Sequence, residues 1–455
     1  MDTPKIPAPK KSSRTGFWAT VKLPYHYLLA FLGALIYGFP SRKMQVIAVT
    51  GTKGKSSVVE LVSALLDEAG YKTAHASTIH FKIGDKKERN LHKMTMPGRF
   101  FLQGFLRKAV HAGCTHAVIE MTSEGARQFR HKFIFLNALI FTNLAPEHLE
   151  SHGSYENYIR AKVSIARELE KSPKRNKILV VNGDDAEAHR FLEVFTGTKK
   201  TYSEKDAGGS VVTSEGVSFN WKGVSPLTRG VPPSSAGRGV SPLTREVPRS
   251  SEAVGVRIES TLPGKFNMYN ILAAVTYADT LGIPLEKIQA GIKKMGGILG
   301  RAQKIEGADF SVIVDYAHTP DSLEKLYQTY AGKYKRCILG NTGGGRDSWK
   351  RPVMAGIAEK YCDEVILTNE DPYDEDPEHI IREMAAGMKY KEPLLILDRR
   401  TAIRTALQKS TRGDVVLITG KGTDPFIMGP RGTKEVWDDA TVVREELQKI
   451  LNSKT

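Results

Sequence analysis

Residues 44–70 read MQVIAVTGTKGKSSVVELVSALLDEAG. The apolar, β-branched run 44–49 predicts a buried parallel strand. A glycine- and lysine-rich turn follows: Thr50, Gly51, Thr52, Lys53, Gly54, Lys55, Ser56 and Ser57. Residues 58–69 then carry apolar side chains at helical spacing, and Gly70 is placed to end the helix. Strand, glycine-rich turn and helix is the context in which backbone N–H groups and a helix N-terminus face a phosphate. In that context Lys55 reaches the β- and γ-phosphates and the Ser56 hydroxyl faces Mg²⁺. The common form of such a loop, G-x-x-x-x-G-K-[ST], has glycine where this chain has Val49. The plain alternative is a glycine- and lysine-rich surface turn, and the flanking strand and helix argue against it.

Around this loop the composition is that of a folded α/β protein. The chain has 455 residues, 40% hydrophobic and 8% aromatic, which allows several domains and excludes wholesale disorder. Its 66 Lys and Arg against 50 Asp and Glu give a net charge of +16. That excess suits phosphorylated ligands, anionic lipid or nucleic acid alike. No nucleic-acid-binding signature accompanies it, so no nucleic-acid partner is expected. Cys114, Cys337 and Cys362 are far apart and form no C-x-x-C pair, so neither a disulfide framework nor a cysteine zinc site is expected. The chain suits a reducing cytoplasm.

Before the loop, residues 24–40 (PYHYLLAFLGALIYGFP) are uncharged apart from His26 and follow a basic stretch. They are short for a bilayer span and bracketed by prolines. A buried helix packed on the next domain is the simpler expectation. The other is a peripheral contact with anionic headgroups at the inner face of the membrane. After the loop, HAVIEMTSEGARQFR (116–130) places Glu120 at the end of an apolar strand, where a carboxylate can hold Mg²⁺. Residues 138–170 carry His148, His152 and Lys162. Two histidines four apart without a third ligand at zinc-like spacing do not make a zinc site. A sixteen-residue unit, GVSPLTRGVPPSSAGR, recurs as GVSPLTREVPRSSEAV from Gly239. So polar a repeat buries nothing and reads as a disordered insertion over about 223–254. In TLPGKFNMYNILAAV (261–275), Asn267 and Asn270 precede an alanine-rich helix and are read most simply as N-caps. From about 302, short apolar strands alternate with helical segments, each strand ending in a polar loop. That pattern predicts a doubly wound sheet with its ligands at the strand C-termini.

Six of these stretches together resemble the Mur ligase superfamily, closest to the branch that adds the third stem-peptide residue. They are TGTKGKSS, the Glu120 segment, TNLAPEHLESHG with YIRAK, GKFNMYNILAA, DYAHTPDSLE, and GGGRDSWKRP with GKGTD. The resemblance implies an α/β protein in three parts. These are a basic tail and lead-in helix (1–42), a central phosphate-loop ATPase domain with a mostly parallel sheet (43–298), and a C-terminal Rossmann-like domain (299–455). It implies an ATP-dependent amide ligase acting on a UDP-N-acetylmuramoyl-dipeptide in peptidoglycan precursor synthesis, a cytoplasmic monomer whose partners are small molecules. ATP is held by residues 50–57, with Asn267 and Asn270 near the adenine, Asp315 at the ribose, and His318 and Arg301 by the phosphates. Two Mg²⁺ ions are implied, one on Ser56 and Glu120, the other supported by His148 and a carbamylated Lys162. Lys55, Lys162, His148 and Arg301 form the implied catalytic set. Arg346, Asp347, Glu370, Asp371, Tyr373, Lys421 and Asp424 are placed at the substrate.

Two departures from the family pattern matter. Diaminopimelate-adding members read D-N-P-R where this chain reads Glu370-Asp371-Pro372-Tyr373. The arginine that grips a distal carboxylate is replaced, and the loop TNEDPYDEDPEH is acidic. This favours lysine or ornithine as the added amino acid, unless the acids merely cap the next helix. Members of this branch also carry a longer segment before the phosphate loop to hold the UDP moiety, and only residues 1–43 precede it here, so that domain is expected to be absent. The rivals are a folylpolyglutamate-synthetase-like ligase, another Mur-type ligase with a non-UDP acceptor, a cyanophycin-synthetase-type ligase, for whose extra domain there is no room, and a non-catalytic ATP-binding protein. The last would be expected to lose Lys55, His148 or Lys162.

Overall fold

The computed structural model describes residues 16–147, 149–223, 255–345 and 347–453; side chains are described from residue 24 on, and those of residues 149 and 150 are not. The 223–254 repeat, apart from Gly223, falls outside these residues, as do His148 and Arg346.

A helix, α1 (Gly16–Ile36), leads into β1 (Gln45–Thr50) and α2 (Lys55–Glu68). Then come β2 (Thr73–Ala76), β3 (His80–Ile83), β4 (Lys86–Arg89), α3 (Arg99–His111), β5 (His116–Glu120), α4 (Ser123–Arg127) and β6 (Ala138–Phe141). Next are α5 (Leu149–His152), α6 (Tyr155–Lys171), β7 (Ile178–Asn182), α7 (Ala188–Glu193) and β8 (Thr198–Tyr202). These strands form one sheet in the order β4-β3-β2-β5-β1-β6-β7-β8, parallel from β2 to β8, with β3 and β4 antiparallel at one edge. Along β1, Ile47 and Val49 enter the core under α2, whereas Val46 and Ala48 enter the core on the other face, beside α3 and α6. A strand buried on both faces must be apolar at every buried position, which is why 46–49, after the exposed Gln45, reads as an unbroken hydrophobic run.

A small antiparallel sheet follows: β9 (Gly208–Val212), β10 (Val217–Trp221) and β11 (Val256–Ser260). Trp221 pairs with Val256, so the two ends of the repeat segment are held side by side by a strand ladder. Two helices, α8 (Lys265–Thr280) and α9 (Leu285–Lys294), pack on α2 and complete the first core.

The chain then enters a second sheet: β12 (Gln303–Ile305), β13 (Ser311–Val314), β14 (Lys335–Leu339), β15 (Glu364–Leu367), β16 (Leu394–Leu395) and β17 (Val415–Ile418). Its order is β12-β13-β17-β14-β15-β16, parallel except for β12. Helices α10 (Pro320–Thr329), α11 (Lys350–Tyr361) and α12 (Pro377–Ala385) cover one face; α13 (Arg399–Lys409) and α14 (Asp439–Asn452) cover the other. The expected doubly wound architecture is what the chain forms.

Four expectations are corrected. The helix after the loop starts at Lys55 rather than at 58, because Gly54 takes a left-handed conformation (φ 82°) at its N-cap. Neither Asn267 nor Asn270 is an N-cap: Gly264 holds that position, and both asparagines lie inside α8. Cys337 and Cys362 form a disulfide, with Cα atoms 6.1 Å apart. Sequence spacing hid this pair because α11 carries the chain back to the start of β15, next to β14. The lead-in helix is only partly buried: Ala30 and Ala34 pack inward, while Tyr25, Tyr27, Leu28, Phe31, Leu35 and Ile36 stay exposed. Among the described residues no helix is long and apolar enough to cross a membrane.

Candidate active site

The sheet order puts the site where three strands end together. β1 lies between β5 and β6, with Val49 opposite Glu120 and Thr50 opposite Phe141. Val49 is thus the last but one strand position before the loop, and its buried side chain stands where the common form has glycine. The loop is folded against the end of β6. Thr52 N–H donates to the Asn143 carbonyl (2.7 Å), Lys53 N–H to Asn143 Oδ1 (2.9 Å), and Thr142 Oγ1 to the Lys53 carbonyl (2.7 Å). Two glycines are required here. A Cβ on Gly51 would lie 1.9 Å from Thr142 Oγ1, and one on Gly54 would lie 2.2 Å from Asn270 Oδ1. Asn270 in turn donates to Asn267 Oδ1 (3.1 Å), and Asn267 donates to the Pro263 carbonyl (2.8 Å), so this buried pair orders the start of α8, with Asn270 packed close to Gly54.

Ser56 Oγ donates to Glu120 Oε2 at 2.8 Å. The same oxygen accepts from Thr78 N–H (2.8 Å) and Thr78 Oγ1 (3.0 Å). Lys55 Nζ lies 3.9 Å from Glu120 Oε1 and donates to the Thr52 carbonyl (2.8 Å). A serine hydroxyl and a carboxylate side by side at a phosphate loop are the oxygen donors a Mg²⁺ ion takes. Lys162 Nζ is 2% exposed, donates to the Gly51 carbonyl (2.6 Å) and lies 4.9 Å from the Tyr158 ring centroid. Burial, reinforced by the charge of Lys55, pushes its ammonium well below the usual lysine range. Burial likewise lowers Lys55, against the pull of Glu120 and Glu147. Thr52 Oγ1 meets Tyr158 OH at 2.9 Å. Thr50 Oγ1 donates to the Met121 carbonyl (3.0 Å), and Ser57 is buried at the start of α2.

The second sheet supplies the facing wall. Arg301 lies over the Tyr316 ring at 4.6 Å. Asp315 accepts from Ala302 N–H and Ala317 N–H, both at 2.6 Å, and burial raises its pKa despite Arg301. His318 Nδ1–H donates to the Tyr316 carbonyl (2.6 Å), and burial holds its pKa down to about 4. Glu147 bridges the two sheets, 2.9 Å from Lys53 Nζ and 3.6 Å from His318 Nε2.

A second cluster lies at the ends of β15 and β17. Lys421 Nζ is 2.8 Å from Asp371 Oδ1 and 3.1 Å from Asp424 Oδ2. Lys93, from the loop after β4, lies 2.9 Å from the other Asp371 oxygen and 2.9 Å from Asp424. Glu370 is buried, accepts from Thr342 Oγ1 (3.1 Å) and has a raised pKa, chiefly from burial. Tyr373 and Asp347 take left-handed backbone conformations at the rim (φ 54° and 46°). Tyr373 lines an open groove with Asp374, Glu375, Lys434 and Glu435. Much of the acidic loop serves structure: Asp376 caps α12 and Glu375 pairs with Arg351 at 2.7 Å. Sequence reading missed Thr78, Tyr158 and Lys93. Thr78 sits in unremarkable local sequence, and Tyr158 opens the YIRAK stretch without a role of its own there. Lys93 is a lone lysine whose partners are about 280 and 330 positions away, a separation no local pattern signals.

The fold and this loop define a nucleotide-using α/β enzyme built from two sheets. Residues 49–278 match the Mur ligase middle domain, and residues 300–422 match the Mur ligase glutamate ligase domain. A UDP-N-acetylmuramyl-tripeptide synthetase of Roseiflexus sp. (strain RS-1) is 36% identical over 445 residues, covering 93% of this chain and 82% of that protein. A UDP-N-acetylmuramoyl-L-alanyl-D-glutamate–2,6-diaminopimelate ligase of Bacillus cereus is 34% identical, covering 93% and 82%. A solved structure of a ligase with that same title superposes with a TM-score of 0.60 at 26% identity, over 95% of this chain and 83% of that one. Folylpolyglutamate synthase of Mycobacterium tuberculosis shares the fold, with a TM-score of 0.65 at 15% identity over 94% and 98%. The chain belongs to the Mur ligase family and is an ATP-dependent, ADP-forming amide ligase that uses Mg²⁺.

Proposed function

We propose that this ligase adds a basic amino acid, lysine or ornithine, as the third stem-peptide residue of a UDP-N-acetylmuramoyl-dipeptide. The observation that carries the reading is the Ser56–Glu120 pair beside half-buried Lys55 and buried Lys162, opposite Arg301 and His318. In the reaction, an acceptor carboxylate attacks the γ-phosphorus of ATP and ADP leaves. The amine then adds to the acyl phosphate, and phosphate departs from the tetrahedral intermediate. No protein nucleophile is needed, so catalysis is positioning and charge neutralisation. Lys55 and the loop N–H groups hold the phosphates, and Arg301 reaches the same charge from the second sheet. Asp315 and His318 orient the nucleotide, and Asn267 and Asn270 keep the loop shaped on its adenine side. Ser56 and Glu120 would hold one Mg²⁺, which supplies Lewis-acid neutralisation of phosphate charge.

Lys162 is proposed to act as a carbamate. Only a neutral amine reacts with CO₂, and burial beside Lys55 favours that form. Carbamylation would replace a buried amine with an anion able to support a second metal ion, together with His148. On the amino-acid side, Tyr373 and the acids lining its groove favour a cationic side chain over a distal carboxylate. Arg346, Asp347, Glu370, Asp371, Lys421 and Asp424 are assigned to that end of the site, with Lys421 placing the two aspartates. The exposed apolar face of α1 supports a lipid-surface contact at the cytoplasmic face of the membrane. Sedimentation with anionic vesicles, lost on Leu28→Glu with Leu35→Glu, tests that contact.

The decisive experiment measures phosphate release from ATP and Mg²⁺ with UDP-muramoyl-dipeptide, offering lysine, ornithine and meso-diaminopimelate in parallel. Release that depends on lysine or ornithine is expected. Release with diaminopimelate alone overturns the amino-acid assignment. Silence with all three, from protein that still binds ATP, overturns the acceptor.

A further inference from the structure

Behind the phosphate loop, Glu60 on α2, His75 on β2 and His80 on β3 meet in the protein interior. They are 7%, 1% and 8% exposed. Glu60 Oε1 lies 3.3 Å from His75 Nε2 and 3.2 Å from His80 Nδ1, and the three donor atoms lie within 4.8 Å of one another. Four ligands at about 2.0–2.1 Å from a tetrahedral ion stand about 3.3 Å apart, so the two Glu60–histidine spacings are those of a tetrahedral donor set. The other carboxylate oxygen is taken by Lys87 Nζ at 2.8 Å, which leaves Oε1 for the imidazoles.

A network of side chains alone accounts poorly for this arrangement. Lys87 already serves Glu60, yet neither ring nitrogen of His75 makes a directed hydrogen bond, although the residue is buried. Buried polar atoms without partners are rare in folded proteins and point to a missing partner. The protonation states also suit a cation. Burial disfavours the charged form of His75, against the pull of Glu60. Burial works to raise the Glu60 carboxyl, but contacts with His75 and His80 and the charge of Lys87 outweigh it and keep it ionised. Two imidazoles and one carboxylate form a donor set that zinc takes, with a fourth position for water. His80 also lines a cleft between the two sheets with Arg89, Leu299, Gln303 and Asp438, which gives an ion a way in.

We propose that Glu60, His75 and His80 bind one divalent first-row cation of the zinc type, distinct from the Mg²⁺ of the phosphate loop. The ion would tie α2, the helix that opens on Lys55 and Ser56, to the β2–β3 edge of the large sheet. The inference does not depend on which acceptor or amino acid the ligase uses.

The test uses the full chain, stripped with a chelator and then held in saturating Mg²⁺ and a non-hydrolysable ATP analogue, so that the phosphate loop is occupied. Zn²⁺ is titrated against a chromogenic competitor, and Co²⁺ is added separately to read its visible d–d bands. One equivalent of Zn²⁺, an intense tetrahedral Co²⁺ spectrum and a Zn²⁺-dependent rise in Tm are expected. His80→Gln, at the cleft edge, should weaken Zn²⁺ binding by at least about 100-fold and abolish the Tm rise, because one of three ligands is lost. Glu120→Gln should leave both unchanged. No stoichiometric Zn²⁺ on natively folded wild-type protein overturns the proposal, whatever the variants do. Equal binding by His80→Gln and wild type, or loss of binding in Glu120→Gln, also overturns it.

Discussion

Around the phosphate loop, half-buried Lys55 and buried Lys162 donate to carbonyl oxygens, Glu120 lies 3.9 Å from Lys55, and both lysines have lowered pKa values. Around the β15 and β17 loops, Lys421 and Lys93 are clamped between Asp371 and Asp424 at 2.8–3.1 Å. Burial would lower Lys93 as well, but Asp424 and Asp371 outweigh it and raise the group. Two lysine sites in one protein thus handle charge in opposite ways. The first keeps cations short of anions, as a site for a polyphosphate must, since a pre-neutralised lysine has little left for a phosphate. The second is closed on itself and joins the two sheets, because Lys93 comes from one and its aspartates from the other.

The largest effect should come from the first region. Lys162→Ala is expected to lower amino-acid-dependent phosphate release by at least about 100-fold, with partial recovery in millimolar formate or acetate. Its folded state should be no less stable, because the amine removed is buried where its charge is disfavoured. Normal turnover by this variant would place Lys162 outside the chemistry.

In the second region the same kind of change should act on stability. Lys93→Met leaves two aspartates to one lysine and should cost about 1.5–3 kcal/mol in urea unfolding. An unaltered midpoint would mean that the clamp contributes nothing. A third test sharpens the comparison through pH. Burial lowers His131 to about 3 and His116 and His318 to about 4, from an ordinary 6.5. Below 6.5 the unfolded chain takes up protons that the folded chain refuses. Stability should therefore be complete above pH 6.5 and fall progressively towards pH 4, as followed by thermal unfolding. His318→Gln should flatten part of that slope. The smallest effect is expected at the groove. Asp374→Asn or Glu435→Gln should raise KM for the basic amino acid by about 2–5-fold with kcat unchanged, as removing one exposed charge does.

The limits of the sequence are clearest at particular residues. The β1–loop–α2 unit was legible because its signals are local: a strand buried on both faces, glycines where the backbone must turn, and a helix whose apolar residues recur every turn. Glu120 was legible because a strand end is a local feature too. Asn267 and Asn270 read as caps because their neighbours along the chain suggest a helix start, whereas Gly54, against which Asn270 packs, becomes a neighbour only in space. The acidic loop of 368–379 read as one feature. In the fold it divides into a helix cap at Asp376, a partner for Arg351 at Glu375, and an anchor for Lys421 at Asp371.

The sequence by itself determined the two α/β units, the phosphate loop and the order of the Mur ligase motifs, because periodicity and short spacings are properties of neighbouring residues. Only the tertiary structure decided which buried charges have partners. It placed Thr78 on Glu120, Lys93 between Asp371 and Asp424, Cys337 against Cys362, and Glu60 between two histidines. The physical reason is that charge pairing and ligand geometry depend on distances of a few ångströms between side chains, and strand order, not chain order, sets those distances.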